Sequence, residues 1–163
     1  SYASLCEKLV SQEIDIIFGV ACELENISGT VWKVLFTEDQ KILLSRMSEL
    51  AEKDVLSMDE LGRQTLIVPS KDMMPSCHKK GMQLCKKTKY RMNIDFVDSF
   101  EAIKMKVASN QGITFVMNSF KAYDYDSFKK VRVCDIHFIC TLGIAYLKNN
   151  KNRLIDNFSK ILD

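Results

Sequence analysis

Apolar residues recur along this chain at two spacings, and the alternation between them gives the first reading. From Tyr2 to Gln12, Leu5, Leu9 and Val10 return at helical intervals with Glu7, Lys8 and Gln12 opposite, which predicts a helix. It runs into IDIIFGVAC, Ile14 to Cys22, a short apolar run that predicts a strand buried on both faces and ending in a tight turn near Gly19 and Ala21. Val31 to Phe36 and Lys41 to Ser45 read as two extended stretches separated by the polar TEDQ. A short helical turn at Met58 to Gly62 follows Ser57 as N-cap, and TLIVPS, Thr65 to Ser70, is a strand ended by Pro69. A helix is expected from about Ser76 to Lys87, then an alternating strand from Tyr90 to Val97. Asp98 or Ser99 caps the next helix, which Gln111-Gly112 turns into the apolar strand ITFVM. Val131 to Ile136 and Ile139 to Tyr146 read as extended, and Asn152 to Leu162 as an amphipathic helix.

Strands alternating with helical runs predict an α/β fold with mainly parallel sheets. In such sheets ligands sit beyond the carboxyl ends of the strands, where helix N-termini also point. Three corners of that kind are visible: Val20 to Cys22, Ser70 to Ser76, and Asp98-Ser99.

Composition narrows the picture. A length of 163 residues is one ordinary domain or two small lobes, and 47% hydrophobic residues suffice for a core. The formal charge of +2 argues against a free-standing nucleic-acid binder. No apolar run approaches the roughly 18 residues of a membrane span, and SYASLCEKLV does not read as a signal peptide, so the expected setting is cytoplasmic. The six cysteines form no CxxC pair and stand beside only two histidines, so no zinc site is expected, and buried reduced thiols are the plain reading. His78 reads as a surface residue and His137 as flanking a strand. The cluster Lys79, Lys80, Lys86, Lys87 and Lys89 reads as a solvated basic face. No catalytic triad, paired-carboxylate motif, P-loop or dinucleotide fingerprint is present, so the chain is not expected to be an enzyme and no cofactor is assigned.

Four stretches, in this order, resemble the effector-binding domain of LysR-type transcriptional regulators: EKLVSQEIDIIFGV; VLFTEDQKILLS followed by LSMDELGRQTLIVPS; VDSFEAIKMKVASNQGITFVM; and NRLIDNFSKIL. The resemblance covers nearly the whole chain. It implies a periplasmic-binding-protein-like domain that is N-terminally truncated, without the family's DNA-binding domain and without the first strand, helix and strand of the effector domain. It also implies two lobes joined by crossing strands, residues 1–37 and 130–163 forming lobe I and 38–129 forming lobe II. A small-molecule effector would bind between them and control DNA binding through a domain absent from this chain, within a homodimer and, in the full-length protein, a tetramer.

The resemblance carries effector contacts onto Ser70, Asp72 and Ser76 in the loop before a helix, onto Val20, Ala21 and Cys22, and onto Ser99 and Asn118. Each serine also reads as a simple helix cap, and Asp72 would repel an anionic effector unless turned away. Leu5 and Leu9 are the expected dimer contacts, unless they pack only on their own sheet. A second reading keeps the family and replaces ligand binding by thiol chemistry at Cys77 and Cys85, since Cys77 stands at a helix start beside His78, Lys79 and Lys80. A third changes the class, to a two-lobe solute-binding protein or a small transferase.

Overall fold

The helical and extended spacings resolve, in a computed structural model describing residues 2–87, 92–121, 126–134 and 137–161, into six helices and eight strands among those residues. In chain order these are α1 (Tyr2–Val10), β1 (Ile17–Val20), α2 (Ala21–Leu24), β2 (Thr30–Ser45), β3 (Val55–Leu56), α3 (Met58–Leu61), β4 (Thr65–Pro69) and α4 (Pro75–Lys87). They continue with β5 (Asn93–Val97), α5 (Phe100–Ala108), β6 (Thr114–Met117), β7 (Phe128–Val133), β8 (Ile139–Leu147) and α6 (Arg153–Ile161). A 3-10 turn covers Glu49–Glu52. No helix among the described residues is long and apolar enough to cross a membrane.

The chain divides into two compact units, Ser1–Thr37 with Cys140–Asp163, and Glu38–Ile139. In the first unit β1 pairs antiparallel with β8, Ile17 opposite Ala145 and Val20 opposite Leu142. Its core gathers Leu9 of α1, Ile17, Leu24, Ala145 and Leu147, with Ile14 and Ile27 against them. In the second unit β2 lies between β6 and β7, antiparallel to both, and β3 runs parallel to β7. β7, which begins before the expected lobe boundary near 130, stays in this unit through its pairing with β2. β4 and β5 form a parallel pair, covered by α4 and α5. One core cluster joins Ile42 and Leu44 of β2 to Leu61, Leu66, Ile113 and Val131, and another joins Leu43 to Ile67, Val97, Ile103 and Val107.

The sheets are mixed where mainly parallel pairing was expected. Each antiparallel pair involves β2 or β8, the strands along which the chain leaves and re-enters the first unit. Strands closed by helical crossovers, such as β4 and β5, keep the parallel sense. The TEDQ stretch does not break β2. Its polar side chains lie on an exposed part of the strand while its backbone stays paired: Asp39 O accepts from Asn118 N, and Gln40 N donates to Phe138 O. β1 is not buried on both faces, because Phe18 is 62% exposed, its ring edge-to-face with Phe158 at 6.3 Å between centroids. Tyr90 and Ile136, expected at the ends of strands, lie outside the described residues, as does Lys89 of the basic cluster.

Candidate functional site

In the second unit the carboxyl ends of β4 and β5 lie side by side, with Pro69 opposite Val97. Ser70, the next residue, donates its amide to Val97 O at 2.8 Å. Its carbonyl accepts from the amides of Met73 and Met74, at 3.2 and 3.0 Å, and its hydroxyl accepts from Met73 N at 3.3 Å. This turn feeds α4, whose first residue is Pro75; proline suits that position because the N–H it lacks would have no helical partner. Asp72 is exposed on the turn, and Ser76 and Cys77 are half-buried in the first turn of the helix.

Beside it, Ser99 caps α5: its hydroxyl accepts from Ala102 N at 3.0 Å. Two helix N-termini of nine residues or more thus stand at the carboxyl ends of adjacent parallel strands. Their unsatisfied amides and aligned dipoles favour negative charge at this end of the unit. β6 follows from Ile113, which bridges in parallel to Leu66 of β4, so Asn118 at the end of β6 belongs to the same end of the unit. Its backbone is occupied by Asp39 O and by Lys130 Nζ, the latter at 2.6 Å, while the residue itself is exposed.

Ser70, Asp72, Ser76, Ser99 and Asn118 are therefore placed together. Val20, Ala21 and Cys22 belong to the first unit, at the end of β1. Val20 precedes α2 without a side-chain cap, and Ala21 and Cys22 are buried, so this corner offers apolar side chains and backbone groups.

The cysteine pair is less suited to chemistry than its sequence context promised. Neither cysteine is in a disulfide, and Cys85 is buried among Leu66, Val68 and Met92, where burial pushes its thiol pKa up, away from thiolate. Eight positions along an intact helix separate Cys77 from Cys85 by about 12 Å, beyond disulfide reach.

Leu9 is withdrawn from the expected dimer contact. It is fully buried in its own unit, covered by Leu24 and Ala145, whereas Leu5, one turn earlier, is 43% exposed. His78 is no surface residue either: it is half-buried, its ring stacks on Phe96 at 4.5 Å, and its Nδ1 is buried without a hydrogen-bond partner. The sequence signal for that contact is only the shared parity of a helix and a strand that pack together. His137 lies exposed before β8, its Nε2 2.7 Å from Asp39 Oδ1.

Comparison with known proteins follows the same lines. The family model for the LysR substrate binding domain matches residues 1–162. The HTH-type transcriptional regulator AlsR of Bacillus subtilis (strain 168) is 25% identical over 121 residues, which is 74% of this chain and 40% of that protein. The match thus covers less than half of that curated relative. Among solved structures, HinK, a LysR family transcriptional regulator from Pseudomonas aeruginosa, is similar with a TM-score of 0.76 and 20% identity, over 98% of this chain and 55% of that one. The CcmR regulatory domain of Synechocystis PCC6803, solved in complex with 2-PG, has a TM-score of 0.74 and 14% identity, over 99% of this chain and 78% of that one. At these identities the structural likeness speaks for the fold.

Proposed function

Since this chain belongs to the LysR substrate-binding domain family, we propose that it senses a small molecule and controls DNA binding by a helix-turn-helix domain elsewhere in its polypeptide. The observation that carries the reading is the pair of helix starts, at Ser70–Pro75 and Ser99–Phe100, at the carboxyl ends of adjacent parallel strands. Such an end takes an anionic or strongly polar ligand on backbone amides and hydroxyls. Ser70, Ser76, Ser99 and Asn118 are the proposed contacts in the second unit, and Val20, Ala21 and Cys22 those in the first. Asp72, exposed on the turn, disfavours a ligand with a second negative group there. The CcmR regulatory domain, which shares this fold, was solved in complex with 2-PG, a precedent for a small molecule bound to such a domain.

Sensing of this kind requires no chemistry on the ligand. It needs only different affinities for two arrangements of the polypeptide, which shift their populations. We place the protein in the cytoplasm as a homo-oligomer, with Leu5 as a contact between copies.

The test is the intact mass of the purified protein, native and then denatured. The expected result is a small molecule retained natively and lost on denaturation, with retention reduced by Ser70→Ala combined with Ser99→Ala. A variant that keeps the molecule fully would remove this end of the unit from the binding site. A loss of two hydrogens after dilute peroxide, mapped to Cys77 and Cys85, would replace ligand sensing by thiol oxidation.

A further inference from the structure

The second unit carries a concavity of about 260 Å3 that none of the residues discussed so far as effector contacts lines. Its apolar wall is Leu43 with Phe120 and Phe128, and its other lining residues are Lys41, Arg46, Lys129 and Lys130. The register explains the grouping. Lys41 and Leu43 share one face of β2; Leu43 pairs with Lys130 and Ser45 with Phe128, so Phe128 and Lys130 project from the same face of β7. Leu43 itself belongs to the core cluster of Ile67 and Val107, against which Phe120 and Phe128 pack. The wall is thus the outer surface of a hydrophobic core, ringed by cations.

Two of the lysines are held in place. Lys130 Nζ donates to the carbonyls of Asn118 and Phe120, at 2.6 and 3.0 Å. Lys129 Nζ donates to Ala51 O at 2.7 Å and stands 3.1 Å from Asp54. No carboxylate is among the lining residues described. Lys129, which pairs with Leu44, projects from the other face of β7 and meets Asp54, so three positive charges, on Lys41, Arg46 and Lys130, lower the energy of an anion at the apolar wall, and Phe120 and Phe128 reward an aromatic body over a purely hydrated ion.

We propose that this concavity binds a small organic anion bearing one aromatic ring, its acid group among Lys41, Arg46 and Lys130 and its ring on Leu43, Phe120 and Phe128. The volume admits one ring with one acid group and excludes a dinucleotide. Its lining residues are not the proposed effector contacts, although Lys130 also holds the carbonyl of Asn118, and the serine variants test the two readings separately.

Phenyl phosphate is the probe, followed by amide chemical shifts of the whole chain, with inorganic phosphate and benzyl alcohol as controls. Phenyl phosphate is expected to move the amides of Phe120, Phe128 and Lys130 and to bind about tenfold more tightly than either control. Lys41→Gln with Arg46→Gln should weaken it about tenfold, the loss of one or two charge-assisted contacts. Lys129 and Lys130 are left intact because they hold backbone carbonyls. Ser70→Ala with Ser99→Ala should leave this binding unchanged. The unmodified protein gives a second reading: raising ionic strength from about 0.05 to 0.3 M should weaken binding several-fold. The proposal is overturned by affinity no better than that of inorganic phosphate, by shifts centred on Ser70 and Ser99, or by insensitivity to both the double variant and salt.

Discussion

Ser57 and Glu60 close a reciprocal cap at the start of α3: the Ser57 hydroxyl accepts from Glu60 N, and the Glu60 carboxylate accepts from Ser57 N at 2.8 Å. Lys53 and the Ser57 hydroxyl, the latter at 2.9 Å, donate to the same carboxylate, and with Ser57 N they lower the Glu60 pKa from 4.5 to about 2. A carboxyl depressed in the folded state stabilises the fold above its unfolded pKa and loses that contribution as pH falls through the folded one. Glu60→Gln keeps an oxygen for the cap but loses the charge that Lys53 meets, so it should destabilise the fold at pH 7 by about 0.5–1 kcal/mol, read as a lower thermal midpoint. The gap between variant and parent should close between pH 4.5 and 2; a gap constant across that window would detach Glu60 from acid stability. Caps of this sort are legible in sequence because donor and acceptor lie three residues apart. The end of α5 was half legible. The turn was read at Gln111-Gly112, but the left-handed residue is Asn110, φ 57°, with Gln111 N donating to Lys106 O and Asn110 N to Val107 O. An asparagine tolerates that conformation through its short polar side chain, so a glycine two residues on was a misleading cue.

At the scale of elements, the glycine does a different job. A Cβ on Gly112 would strike the backbone carbonyl of Thr65 and press Ile67 at 3.1 Å. That carbonyl accepts from Ile113 N at 2.9 Å, and Ile113 O accepts from Ile67 N at 2.8 Å, so it cannot retreat without breaking the join of β4 to the start of β6. Gly112→Ala should cost about 1–3 kcal/mol, read as a lower urea midpoint at unchanged slope. An unchanged midpoint would mean the join is looser than its hydrogen bonds imply. Elements of one period and one clear boundary, such as β4, α4 and β8, were readable almost to the residue. The continuity of β2 was not, because TEDQ carries the composition of a turn and only its cross-strand partners keep it extended. Nor could α2 be read, four residues that follow directly on a strand.

The whole molecule decides what single helices leave open. Leu5 and Leu9 share a helix face, and only the arrival of Leu24 and Ala145 buries one and leaves the other in solvent. Leu5→Glu should therefore leave folding intact and weaken any self-association, measured by sedimentation. Unchanged assembly would take α1 out of the contact between copies. Leu9→Glu would instead place a charge in a closed core, and so cannot report on assembly.

The first unit is also split in the chain, its β1 paired with a strand that follows the entire second unit. During synthesis the second unit is complete, with its own cores, before β8 has been made. At about 5–20 residues per second, β1 and α1 wait for their partner on the order of ten seconds, with Ile17 and Leu9 unburied. Within this domain, the stretch made before the second unit is therefore among the last to fold, and in that interval it is a segment in need of a chaperone.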